Sequence, residues 1–128
     1  MILSIDFDSE TPIYTQISNQ IIKGIACQEL TEGEKLPTVR QLASDIGVNL
    51  HTINKAYNNL KIRGFLSINR RKGVVINSKD SFLYDTDYLD ELKDNLAPLI
   101  YEAISRDVDS KLVINLVNEL YQTVEEGK

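Results

Sequence analysis

Residues 36–64 read LPTVRQLASDIGVNLHTINKAYNNLKIRG, two short helical patterns divided by a glycine. Thr38 and Gln41 have the spacing of a capping box, in which the threonine hydroxyl takes an orphan amide of the first turn and the glutamine reaches back. Leu42, Ala43 and Ile46 then share one face, and Gly47 supplies a residue that takes a positive φ and ends the helix. Asn49 is placed to cap a second helix. In it Ile53, Ala56, Tyr57 and Leu60 form an apolar stripe at helical spacing while His51, Thr52, Asn54 and Lys55 face away. Helix, glycine turn and helix at this spacing predict a helix-turn-helix.

A helix lying in the major groove needs short polar side chains in its first turns, where its backbone is nearest the base edges and its positive dipole end faces phosphate. His51, Thr52, Asn54 and Lys55 fit that demand. A plain solvated helix face would carry similar residues, because periodicity says nothing about partners, so the neighbouring sequence has to discriminate.

After Gly64 the period changes to that of a strand. Phe65 to Ile68 and Val74 to Ile76 are strand-like runs joined by Asn69, Arg70, Arg71, Lys72 and Gly73, which predicts a β-hairpin with a basic tip. Adjacent cations on a tight turn repel one another, and long side chains there reach phosphates or a minor groove. Charge placed at a tip for solubility is the plainer alternative. Directly behind a helix-turn-helix, however, the hairpin reads as the wing of a winged helix.

Upstream, residues 1–10 read as an extended arm whose Ile2, Ile5 and Phe7 pack on the body. Thr11 and Pro12 suit the N-cap and N1 positions of a helix. Ile13, Tyr14, Ile17, Ile21, Ile25 and Ala26 then recur every third or fourth residue to about Gln28. This helix supplies the third wall that two short helices need to bury their stripes.

The net charge of −5 hides an asymmetry: residues 35–79 carry nine bases and one acid, Asp45, whereas residues 80–128 carry four bases and twelve acids. Fields of exposed charges decay over about 8 Å at physiological salt, so a duplex on the basic stretch need not feel the acidic end. Two modules with different partners are expected. No apolar run is long enough to span a bilayer, and the acidic opening MILSIDFDSE lacks a signal-peptide n-region. A single cysteine, Cys27, favours a reducing cytoplasm and a packing role.

Beyond Asp80, Leu89, Leu92, Leu96, Leu99, Ile100, Ala103 and Ile104 form a stripe interrupted by Pro98, which is expected to kink or restart the helix. Asp109 suits the cap of a last helix with Leu112, Val113, Leu116, Val117, Leu120 and Val124 on its inner face. Two such helices cannot bury both stripes on each other. Packing back on the first module is one outlet, and a second copy of the chain is the simpler one. Leu92, Leu96, Leu99, Leu112, Leu116 and Leu120 are the candidate dimer contacts.

The run LPTVRQLASDIGVNLHTINKAYNNLKIRGFL resembles the signature of GntR-type transcription regulators, through Leu36, Pro37, Thr38, Arg40, Leu42, Ala43, Gly47, Val48, Thr52, Ala56, Tyr57, Leu60, Gly64 and Leu66. Pro12, Ile13, Tyr14, Gln16 and Ile17 resemble the family's opening, and the short tail resembles the YtrA-like subfamily. The resemblance implies DNA contacts by Arg40 at the start of the first motif helix, by Asn49, His51, Thr52 and Asn54 on the recognition helix, and by Arg70 and Arg71 on the wing. Thr38, Lys55 and Lys72 complete the candidate set. It also implies dimerisation through a small helical C-terminal region. Leu50 departs from the pattern, standing where many members have arginine, and the wing carries extra cations in place of a glycine-x-glycine turn.

The expected fold is therefore mainly α with a small β-hairpin: a winged helix-turn-helix over residues 1–78, then an α-helical dimerisation or effector region over 79–128. The expected function is sequence-specific binding of double-stranded DNA by a homodimer, with repression from an inverted-repeat operator. A small-molecule effector, if used, would bind at the helical interface or between the modules. No nucleophile elbow, P-loop, Rossmann glycines or metal spacing is present, and His51 has no ligand partner in sequence, so neither catalysis nor a cofactor is expected. A protein-binding adaptor built on a winged helix is the alternative; it would show no specific, salt-dependent operator footprint.

Overall fold

Ile53, Ala56, Tyr57 and Leu60 are fully buried on one face of helix α3 (Leu50–Ile62), and the first part of the chain is built around them. The structure is a computed structural model that describes residues 3–126. Helices α1 (Ile13–Ala26) and α2 (Val39–Ile46) and strand β2 (Leu66–Asn69) pack against α3. Ile17 and Ile21 come from α1, and Leu42 and Ala43 from α2. Leu36 of β1 (Lys35–Leu36), Leu66, and Val74 and Ile76 of β3 (Gly73–Ile76) close the core. Each large apolar side chain so buried contributes about 1.5–3 kcal/mol.

Both helices of the motif carry the side-chain N-caps expected at Thr38 and Asn49. Gln41 donates its amide to Thr38 Oγ1 at 3.1 Å, and His51 donates its amide to Asn49 Oδ1 at 2.8 Å. Gly47 ends α2 in the left-handed region at φ 69°, with the Val48 amide on the Ala43 carbonyl at 3.1 Å.

Tyr57 couples the core to the start of α2, its hydroxyl donating to the Pro37 carbonyl at 2.8 Å. Burial pushes the phenol well above its ordinary range, because the phenolate would be desolvated. This predicts alkaline sensitivity. In the unfolded chain Tyr57 ionises above about pH 10 while in the folded chain it stays neutral, so its contribution is intact below that pH and is lost as pH rises beyond it. Tyr57→Phe should cost about 1 kcal/mol at pH 7 for the missing hydrogen bond. In urea titrations the gap to the unmodified protein should narrow above pH 10; a gap constant with pH would refute the assignment.

The sheet has three strands in the order β1-β3-β2, all antiparallel, rather than the hairpin alone. Lys35 pairs with Val75 and Leu36 with Val74, a strand too short to show any periodicity. Helix α1 begins at Ile13 with Pro12 in extended backbone as its cap, one residue later than Thr11 and Pro12 suggest. The Thr11 carbonyl is taken instead by Gln16 Nε2 at 2.9 Å. The helix stops at Ala26, before Gln28, which lies at φ 61°.

The N-terminal arm is held by two glutamines of α1. Gln20 exchanges hydrogen bonds with the backbone of Ser4 at 2.9 and 2.6 Å, and Gln16 with that of Asp6 at 2.9 and 3.0 Å. Leu3 and Ile5 pack on the core. Phe7 does not: the chain turns at Asp6–Ser9 and leaves it 62% exposed. Ile2 lies outside the described residues.

The chain divides into two compact units, Met1–Phe82 and Leu83–Lys128. A short 3₁₀ turn at Lys79–Ser81 and Phe82, whose ring lies 4.7 Å from that of Phe65, belong to the first. The second contains α4 (Thr86–Ser105) and α5 (Ser110–Glu126). Asp85 Oδ1 accepts from the Tyr88 amide at 2.8 Å and Asp109 Oδ1 from the Lys111 amide at 2.8 Å, so both helices are capped by aspartate. Helix α4 runs through Pro98 without restarting. Proline removes a single ladder donor there, and the Asp94 carbonyl it orphans lies on an exposed stretch where water can replace it.

Among the described residues α4 has no buried side chain, and Leu112, Leu116, Val117 and Leu120 of α5 are also exposed. Ile100, Ala103, Val113 and Val124 are half-buried, so the face expected to point inward is only partly covered in the single chain and its leucines stay open. No helix of the described residues is long and apolar enough to cross a membrane.

Candidate nucleic-acid interface

The first turns of α3 carry the outward residues expected of a recognition helix. His51 and Asn54 are exposed and Thr52 is half-buried, while Ile53 between them is in the core. Arg40 is exposed in the first turn of α2, beside the capping Thr38. Asn49 sits at the α3 cap, and the oxygen with which it would accept from a base is already bonded to the His51 amide. Lys55 is exposed, but its ammonium lies 4.1 Å from the centre of the Tyr14 ring, a cation–π contact that ties α3 to α1. Its charge is therefore held toward α1.

Arg70, Arg71 and Lys72 form the tip between β2 and β3, all exposed. The Lys72 amide donates to Asn69 Oδ1 at 2.6 Å and Gly73 lies at φ 74°, which closes the turn without an acidic residue. Among the described residues the ion pair is Arg106–Glu102, in the second unit, so none of these cations nor Arg40 is neutralised by a carboxylate. Antiparallel pairing of strands β1 and β3 also lays the Lys35 side chain along Gly73, with its Cε 3.1 Å from where a Cβ would stand. Lys35 is thus a cation of the wing. In the sequence Lys35 is one of the nine bases of residues 35–79, and nothing in a two-residue strand signals which strand it joins.

The base of the wing is tied to the end of α3. Asn77 donates through Nδ2 to the Gly64 carbonyl at 2.8 Å and accepts from the Ser67 hydroxyl, while the Asn77 amide bonds the Phe65 carbonyl at 2.9 Å. Recognition helix and basic loop therefore belong to one folded body. No group of His, Cys, Asp and Glu suited to a metal ion occurs among the described residues.

A helix-turn-helix whose second helix shows a polar edge, flanked by the strands of a three-stranded sheet with a cationic tip, defines a winged helix-turn-helix DNA-binding protein. Comparison with known proteins agrees. A family model for bacterial regulatory proteins of the gntR family matches residues 13–76, from the start of α1 to the end of β3. The chain is 32% identical over 130 aligned residues to the HTH-type transcriptional repressor YtrA of Bacillus subtilis, covering 98% of this chain and 97% of that protein. A transcriptional antiterminator from Listeria monocytogenes EGD-e has the same fold, with a TM-score of 0.89 at 30% identity over 97% of this chain and 92% of that one. The AraR DNA-binding domain, solved in complex with operator ORX1, matches 59% of this chain and 98% of its own at 27% identity and a TM-score of 0.53. The chain belongs to the GntR family of bacterial transcription regulators.

Proposed function

We propose that this regulator is a repressor that binds an inverted-repeat operator as a homodimer in the cytoplasm. The observation that carries the reading is the unpaired polar and cationic surface of the first unit: His51, Thr52 and Asn54 on α3, Arg40 on α2, and Arg70, Arg71 and Lys72 on the wing. In this reading His51, Thr52 and Asn54 meet base edges, while Arg40, the wing and the hydroxyl of Thr38 grip phosphates. Asn49 serves as a cap, and Lys55 acts through its hold on Tyr14.

The dimer is supported by the uncovered leucines of the second unit. Leu89, Leu92, Leu96, Ala97, Ile100 and Tyr101 line a groove of about 400 Å³ along α4, and we place the partner copy's apolar side chains there. A small apolar effector would compete for the same groove and thereby uncouple the two heads. Twofold symmetry then puts two recognition helices on one face of the duplex, about one helical turn or a multiple apart.

The test is the salt dependence of binding to the protein's own promoter DNA. Removing both arginines in Arg70→Ala/Arg71→Ala should weaken binding to all sequences and reduce the slope of log affinity against log salt by about 2 per head. An unchanged slope would remove the wing from the interface. Absence of any specific footprint from the unmodified protein would favour the adaptor reading.

A further inference from the structure

Leu50 is the first residue of α3 and stays 41% exposed, whereas Ile53, one turn on, is fully buried. Leu50 and Asn54 lie four residues apart and so stack along one edge of the helix, beside His51. Two polar neighbours are already engaged, Asn49 Oδ1 on the His51 amide and the Lys55 ammonium on the Tyr14 ring. The side chains left to lead this helix into a groove are Leu50, His51, Thr52 and Asn54.

We propose that Leu50 is a specificity-determining residue whose side chain contacts the C5-methyl group of a thymine in each operator half-site. The inference rests on α3 being the recognition helix. Of the base edges in the major groove, thymine alone presents a methyl group; the others offer donors and acceptors. Leucine has neither. Against a polar edge it strips water and returns no hydrogen bond, and against the thymine methyl it removes apolar surface on both partners. Shielding one methyl group in this way corresponds to about a threefold to fivefold gain in affinity. An arginine at this place would instead favour guanine, so Leu50 moves the preference from a G·C to an A·T pair.

The experiment starts from duplexes selected by the intact protein out of a random library. Each thymine of a half-site is replaced in turn by deoxyuridine, which keeps every hydrogen-bonding group and lacks the methyl. Binding should weaken about threefold to fivefold at one position per half-site for the unmodified protein and for Leu50→Met, and should not change there for Leu50→Ala. No deoxyuridine effect at any position, or an equal effect in Leu50→Ala, overturns the proposal. His51→Ala and Asn54→Ala, measured alongside, separate the two readings. If both leave the selected motif unchanged, α3 is not in the groove and both readings fall; if the motif changes without a deoxyuridine effect, the Leu50 assignment alone falls.

Discussion

Replacing Leu116 by aspartate should convert the protein to a single-chain species in sedimentation velocity and weaken operator binding by about a hundredfold or more. Leu116 lies in the middle of α5, one turn from both Leu112 and Leu120, and all three are exposed in the single chain. A twofold interface uses the same patch on both copies, so one substitution introduces two carboxylates into an apolar contact. Desolvating them unpaired costs more than the lost leucine contacts. Since Leu116 is not in the core of the single chain, helix content by circular dichroism should be retained. The loss of affinity arises because each half-site is then occupied independently. A dimer that survives the change would place the interface elsewhere.

Gly64→Ala should destabilise the first unit by about 3–4 kcal/mol, whereas Gly47→Ala should cost only about 1–2 kcal/mol. Both glycines have positive φ, 89° and 69°, so a Cβ is strained at either position. They differ in the space around them. A Cβ on Gly47 meets nothing within 4 Å, but on Gly64 it runs into the backbone carbonyl oxygen of Ser81, which cannot swing away as a flexible side chain would. The Gly64 carbonyl also anchors Asn77 at the base of the wing, so the strain reaches the element that carries Arg70 and Arg71. Thermal unfolding of the two variants side by side isolates the steric contribution. Equal losses would mean that the turn after Lys79 yields.

Much of the first unit was legible from spacing. The stripe Ile53, Ala56, Tyr57, Leu60 is a local pattern on one helix, and its burial follows because the apolar face must leave water. Caps at Thr38, Asn49 and Asp109 and the stop at Gly47 are equally local, each involving groups within a few residues of one another. Phe7 departs from its expected burial for the converse reason: its hydrophobicity invites burial, but the hydrogen-bonded turn at Asp6–Ser9 directs it outward. Gln16 and Gln20 stand one turn apart on α1, but their tethering of the arm depends on a chain reversal that no local spacing signals.

Helical or strand period and residue type alone are enough for the motif, the outward residues of α3, the cationic tip and the two-part charge distribution. Contacts between distant segments follow only from the packed fold. It brought Lys35 to the wing through β1 and β3, turned Lys55 onto Tyr14, bound Tyr57 to Pro37, and left Leu50 open beside a buried Ile53. A helical period says which residues share a face; only the packed neighbours say which edge of that face remains free to meet DNA.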